Sequence, residues 1–218
     1  MIRDPTSLYG GELSPGKEKA ARAISALASP MILSAFAFIA LGVRVGDAMK
    51  CAETITACLL FAVILPMAIV LHYSLKFNNK DGDIERREDR AKPLLAGVLC
   101  YLTCLAILYV LNGMDLLTVM LICYMVSTAL VGAVSLRWKI SIHTTGVTGP
   151  SIGLAVAYPP YGGLLILLLP IVAWSRYVQR KHTPLQLLAG AVLGAAVTLT
   201  IFRLLLRPDR SWIWFRTA

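Results

Sequence analysis

Long apolar runs separated by short polar stretches make up most of the sequence. We expect helices at about 24–43, 54–73, 93–111, 115–136, 141–158, 161–175 and 184–206. A bilayer core is crossed by about 20 apolar helical residues, and most of these runs approach that length. The Pro and Gly residues at 158–163 split one longer apolar region into two shorter helices. The pattern predicts an all-α, polytopic membrane helix bundle with about six to seven transmembrane segments.

The composition supports a single membrane domain. Of the 218 residues, 57% are hydrophobic and 15% are charged, whereas about 25% are charged in an ordinary soluble domain. Lipid can solvate the large apolar surface that results. We expect one transmembrane domain over residues 23–206, preceded by a polar arm at 1–22 that does not resemble a signal peptide. The tail at 207–218 mixes Trp212 and Trp214 with arginines, as is typical of the membrane interface.

The formal charge of +9 is concentrated in polar stretches at 76–92, 137–143 and 175–183. With seven helical segments, these stretches and the N-terminal arm lie on one membrane face. Six of the 21 Lys and Arg residues fall on the other face: Arg44, Lys50, Arg203, Arg207, Arg210 and Arg216. Cytoplasmic loops are enriched in Lys and Arg, so we expect an integral protein of the cell inner membrane with the basic face in the cytoplasm. Basic residues confined to these gaps do not indicate a nucleic-acid partner.

The stretch at 175–183 contains residues suited to phosphate chemistry. Arg176 comes at the end of one predicted helix, and His182 comes just before the next. A guanidinium offers a planar fork of donors to phosphate oxygens. An imidazole is nucleophilic at neutral pH and can carry a phosphoryl group. A short turn between the helices would bring both side chains to the same point.

Two further polar stretches on the same face add candidate ligands. Ser141 and His143 precede the fifth predicted helix, where a hydroxyl can bind phosphate and an imidazole can act as a general acid. Lys80, Arg87 and Arg90 belong to the most polar stretch of the chain. Cations at this point would complete a cage around a phosphoryl group.

These residues resemble the three motifs of the type 2 phosphatidic acid phosphatase superfamily. Its third motif, S-R-x5-H-x3-D, is similar to the pattern formed by Ser175, Arg176 and His182, with Gln186 at the Asp position. The second motif, P-S-G-H, is matched by Ser141 and His143, with Ile140 and Ile142 in place of Pro and Gly. The first motif, K-x6-R-P, is matched by Lys80 and Arg87, with Glu88 in place of Pro.

The resemblance implies a membrane phosphatase that acts on a lipid phosphate or a polyprenyl diphosphate. It implies that His182 is the phosphorylated nucleophile, that His143 is the general acid and that Gln186 orients His182. The residues that it implies for binding the phosphoryl group are Lys80, Arg87, Arg90, Ser141, Ser175 and Arg176. No cofactor and no metal are expected, because fixed cations neutralise the phosphate. The domain at 23–206 is then phosphatase-like.

Other functions remain open at this point. Five carboxylates in the first polar stretch could bind Mg2+, as in a membrane prenyltransferase: Asp81, Asp83, Glu85, Glu88 and Asp89. Such enzymes use two acidic loops, and the chain has one. Residues 81–86 also resemble the start of the CDP-alcohol phosphotransferase motif, although the later Asp residues of that motif are missing. A relative that binds phospholipid without turnover, or a small transporter, is the non-enzymatic alternative.

Overall fold

The computed structural model describes residues 14–76, 84, 86–159 and 161–206. Over these residues the secondary structure is helical. The α-helices, in chain order, are α1 (Pro15–Leu27), α2 (Pro30–Gly42), α3 (Ala48–Ala57), α4 (Leu65–Lys76), α5 (Ala91–Asn112), α6 (Leu116–Ser135), α7 (Ile142–Ala157), α8 (Leu168–Val178) and α9 (Pro184–Leu205). A π-helical segment, Cys58–Ile64, joins α3 to α4, and 3-10 segments precede α5 (Arg87–Arg90) and α8 (Tyr161–Leu167).

Six of these stretches are long and apolar enough to cross a membrane. They are Pro15–Gly42, Ala48–Lys76, Arg87–Asn112, Leu116–Ser135, Tyr161–Val178 and Pro184–Leu205. The predicted all-α polytopic bundle is therefore confirmed. The seventh predicted segment corresponds to α7, whose 16 residues span only about 24 Å at about 1.5 Å per residue. Most of α7 is buried inside the bundle, where it packs most extensively against α9.

Local sequence explains where the helices begin and end. Asp115 starts α6 by accepting a hydrogen bond from the Thr118 N–H at 2.7 Å. Pro30 and Pro184 lie at helix starts, where the missing N–H costs nothing. Gly113 ends α5 with a positive φ of 70°, in the turn predicted after Asn112.

The contact between α7 and α9 is close because of threonine and glycine. Thr144 Oγ1 donates to the Leu187 carbonyl at 2.8 Å, and Thr145 Oγ1 donates to the Gly190 carbonyl at 2.9 Å. A Cβ atom added at Gly190 would overlap the Ser141 carbonyl and the Thr144 hydroxyl. Small residues let helix backbones approach closely within a membrane. The start of α7 is thereby held against the start of α9.

Helix α1 packs along α8. Ser175 Oγ donates to the Ala21 carbonyl at 2.8 Å, and Gln179 Nε2 donates to the same carbonyl at 3.0 Å. Residues 15–22 of the predicted N-terminal arm are therefore helical and attached to the bundle. Residues 1–13 and the predicted interfacial tail at 207–218 lie outside the described residues.

Candidate active site

His182 is held by the hydrogen bonds that begin α9. Gln186 Oε1 accepts the Thr183 backbone N–H at 3.1 Å and lies 3.3 Å from His182 Nδ1. Thr183 Oγ1 accepts the Gln186 N–H in return, which completes a capping box. The His182 side chain is buried, with 1% of its surface exposed. The imidazole is thus fixed by a residue of the next helical turn.

This geometry determines the tautomer of a neutral His182. A backbone N–H can only donate, so the Gln186 atom that faces it must be the amide oxygen rather than the nitrogen. The same oxygen faces His182 Nδ1, so Nδ1 carries the hydrogen. The lone pair of the neutral ring then resides on Nε2.

Arg176 reaches the same place from the end of α8. The connection to α9 is a tight turn, in which the Lys181 N–H donates to the Arg176 carbonyl at 3.1 Å and Arg180 takes a positive φ of 57°. The Arg176 guanidinium is buried, and Nη1 donates to Ser25 Oγ at 2.8 Å. Ser25 belongs to α1, so the guanidinium is oriented by a helix from the other end of the sequence.

His143, in the first turn of α7, contacts the same serine. Its Nε2 lies 3.4 Å from Ser25 Oγ. A hydroxyl that accepts one hydrogen bond can still donate another or accept a second. Ser25 therefore links Arg176 to His143, which are 33 positions apart in the sequence.

One cavity of about 370 Å³ brings these side chains together. His143, Arg176 and His182 line it, together with Ser25, Arg22 and Arg90. Its apolar wall comes from α2, α4, α5 and α7. Two imidazoles and several guanidiniums facing one enclosed space can bind a phosphate, donate a proton to it and attack it.

A comparison with known protein families matches residues 118–210 to the PAP2 superfamily. This part of the chain belongs to the PAP2 superfamily. The superfamily consists generally of phosphatases that act on phosphorylated lipids, and the match confirms the resemblance inferred from the motifs. It includes the second and third PAP2 motifs and leaves out the first. No curated protein and no solved structure matches the chain.

The residues of the first PAP2 motif differ in their placement. Arg87 is exposed; its Nε donates to Glu88 Oε1 at 2.9 Å, and its Nη1 donates to the Arg137 carbonyl. A hydrogen bond from the backbone of Glu88 and another from Arg87 lower the pKa of the Glu88 carboxyl. Arg87 is not among the residues that line the cavity. Lys80 lies outside the described residues.

Arg90 is the arginine of this stretch that lines the cavity. It is buried, and it donates from Nε to the Ile84 carbonyl at 2.8 Å and from Nη1 to the Ile140 carbonyl at 3.2 Å. The second bond ties it to the segment that leads into α7. Arg90 was one of three candidates in the first stretch, and the register of the 3-10 turn turns it inward.

The two serines of the PAP2 motifs make structural contacts. Ser141 is the N-cap of α7, where its Oγ accepts the Thr144 N–H at 3.4 Å. Ser175 joins α8 to α1, as described above. Both are buried, and neither is among the residues that line the cavity. Their hydroxyls position the elements that carry His143 and Arg176.

Sequence reasoning did not identify Ser25 or Arg22 as site residues. Arg22 lines the cavity and forms an ion pair with Glu18 at 2.7 Å on the same face of α1. Ser25 is a polar residue just inside the first apolar run, and Ala21 and Ala28 are buried on the same side of the helix. That spacing of small residues was the available signal for a face packed against the bundle.

The acidic alternative falls mainly outside the described residues. Within the described part of the chain, no group of three or more His, Cys, Asp or Glu side chains could hold a metal ion. Asp81, Asp83 and Glu85 lie in the undescribed segment. Whether this stretch binds Mg2+ is therefore left to experiment.

Proposed function

We propose that the protein is an integral membrane phosphatase that hydrolyses a lipid phosphate or an isoprenoid diphosphate through a phosphohistidine at His182. The observation that carries this proposal is the single cavity lined by His143, Arg176 and His182. The membership of residues 118–210 in a phosphatase-type superfamily supports it independently.

The charge of the cavity suits a phosphoryl group. Arg22, Arg90 and Arg176 line it, and no Asp or Glu is among its described lining residues. Arg90 and Arg176 are buried, so their interaction with an anion is weakly screened by water. Fixed guanidiniums can stabilise the equatorial oxygens of the transition state, a role that a metal ion has in other phosphatases.

In the first step, the lone pair on His182 Nε2 attacks phosphorus. The new N–P bond forms as the P–O bond to the lipid breaks, and the leaving oxygen takes a proton from the protonated imidazole of His143. Gln186 holds the Nδ1 hydrogen throughout, which keeps Nε2 directed at the substrate. Products at this stage are the dephosphorylated lipid and phosphorylated His182.

In the second step, water releases the phosphate. His143, now neutral, removes a proton from a water molecule as that water attacks phosphorus, and the N–P bond breaks. His182 recovers its lone pair, and His143 is again protonated for the next cycle. Inorganic phosphate leaves through the open side of the cavity.

The concentration of Lys and Arg around this end of the bundle leads us to assign the cavity to the cytoplasmic face of the cell inner membrane. Substrate would enter from the lipid phase, with its apolar chain among the helices.

The test is phosphate release from a lipid panel by the purified protein, with and without EDTA. We expect EDTA-resistant hydrolysis, and we expect His182→Ala to lower the rate at least about a thousandfold by removing the nucleophile. The matched control is His72→Ala, because His72 is exposed on α4 beside Tyr73 and outside the cavity. Labelled lipid should leave an acid-labile phosphoryl group on the wild type and none on His182→Ala.

Three outcomes would reject the proposal. Activity that survives His182→Ala removes the proposed nucleophile. Activity abolished by EDTA favours an Mg2+-dependent enzyme such as a prenyltransferase. Tight binding of a phospholipid without any turnover favours a relative that only binds lipid.

A further inference from the structure

A second, smaller cavity continues from the first toward the middle of the bundle. Its volume is about 80 Å³, and we call it the inner chamber. The two cavities share five lining residues: Pro30, Met31, Val70, Leu94 and Ile142. A molecule whose phosphate lies beside His182 can therefore extend into the inner chamber without leaving the protein.

The inner chamber is mostly apolar, but two hydroxyls in its wall are unsatisfied. Tyr124 Oη and Thr198 Oγ1 are both buried and have no hydrogen-bond partner of normal geometry among the described residues. The Cys123 thiol, a weak donor, lies beside Thr198. A buried hydroxyl without a partner costs about 1–3 kcal/mol, so hydroxyls placed in this way indicate a bound acceptor or water.

The depth of these hydroxyls can be read from α7. Thr198 lies against Gly149, seven residues along α7 from Ile142, which is beside His143 at the cavity. At about 1.5 Å per residue, the separation along the helix is about 10 Å. The glycerol backbone and ester linkages of a diacyl lipid cover this region below the phosphate, whereas a prenyl chain carries no polar atom there.

We propose that the inner chamber is a subsite for an ester carbonyl of the substrate, with Tyr124 and Thr198 as the donors. Two hydroxyls can satisfy the two lone pairs of one carbonyl oxygen, or one lone pair on each of two esters. The subsite selects ester-linked glycerolipid phosphates over ether-linked or prenyl phosphates of similar length. This inference rests on the proposed phosphatase function for the position of the headgroup.

The test compares three substrates that share a phosphate headgroup: a diacyl phosphatidate, the dialkyl ether analogue with the same chain length, and a prenyl phosphate. We expect the wild type to have a kcat/KM about fivefold or more higher for the diacyl lipid than for the ether analogue, the effect of about one hydrogen bond. Tyr124→Phe and Thr198→Val remove the hydroxyls at nearly constant volume. Each should reduce this preference and leave the ether and prenyl rates unchanged.

A binding measurement separates this inference from the proposed function. The affinities of the diacyl and ether lipids are compared on the His182→Ala protein, with and without Tyr124→Phe. An ester preference in binding that Tyr124→Phe removes would support the subsite even if no lipid is hydrolysed. Equal affinity and equal turnover for ester and ether lipids, or equal losses for both in Tyr124→Phe, would overturn it and would mean that the hydroxyls bind water only.

Discussion

Ser25 is the residue that connects the two basic side chains on either side of the cavity. Its hydroxyl accepts from Arg176 at 2.8 Å and lies 3.4 Å from His143. Neither contact belongs to a PAP2 motif. At the scale of single residues, the site thus depends on a helix that the motifs do not include.

We expect Ser25→Ala to lower kcat about tenfold with a smaller change in KM. The reason is that Arg176 and His143 both lose the hydroxyl that orients them, and a hydrogen bond to a charged group contributes about 1.5–3 kcal/mol. The Ser25→Thr variant keeps the hydroxyl and should retain most of the rate. Steady-state kinetics on both variants check this, and a Ser25→Ala protein as active as the wild type would contradict it.

Gln186 stands where PAP2 enzymes have an acidic residue. Its amide oxygen orients His182, but it adds no negative charge beside the ring. A carboxylate at this point would favour the protonated imidazolium, and protonated His182 cannot attack phosphorus.

We therefore expect Gln186→Glu to move the acidic limb of the pH–kcat/KM profile to higher pH. Glutamate is a common partner in capping boxes, so the start of α9 should be preserved. The profile is measured between about pH 5 and pH 9, the range in which imidazoles titrate. The Gln186→Met variant is uncharged and should leave the limb in place while it lowers kcat; an unmoved limb in Gln186→Glu would show that His182 is not the titrating nucleophile.

At the scale of secondary-structure elements, the contact between α7 and α9 sets the distance between the two histidines. His143 lies in the first turn of α7, and His182 lies just before α9. Hydrogen bonds from Thr144 and Thr145 to α9 carbonyls fix the helices over their first two turns. A small change in this packing moves one histidine relative to the other.

Gly190→Ala tests this contact. The added methyl group would overlap the Ser141 carbonyl, so the helices must separate, and we expect a loss of stability of about 1–3 kcal/mol together with reduced activity. Gly97→Ala is the control, because an added Cβ there meets nothing within 4 Å. Thermal unfolding in detergent measures both variants, and equal melting temperatures would contradict the role given to Gly190.

At the scale of the whole molecule, the cavity lies at one end of a bundle whose orientation follows from charge. Arg86 is near the start of α5, close to the cavity end, and its side chain is 78% exposed. Met49 is 73% exposed in α3, at the opposite end of the first long helical hairpin. These two positions report the two faces of the membrane.

We expect Met49→Cys to react with a membrane-impermeant maleimide in intact cells, and Arg86→Cys to react only after the membrane is opened. The background protein lacks the native cysteines, which are buried or partly buried: Cys51, Cys58, Cys100, Cys104 and Cys123. The reverse labelling pattern would turn the bundle over and place the cavity on the outer face.

Much of the architecture was predictable, and the reason lies in particular residues. The ends of α5 and α9 could be read from Gly113 and Pro184, because a positive φ and a missing N–H are local properties. The predicted pairing of Arg176 with His182 across a short turn is likewise local. The choice among Arg87 and Arg90 was not, because it depends on which side of a 3-10 turn faces the bundle.

The sequence by itself determined that this protein is a polytopic helical membrane protein with phosphatase motifs, because hydropathy and motif spacing are written along the chain. Only the tertiary structure decided that Ser25 and Arg90 join the cavity, that Ser141 and Ser175 hold helices together instead, and that an inner chamber continues from the site. Those assignments depend on the rotation and close approach of helices distant in sequence, which packing sets and no local pattern records.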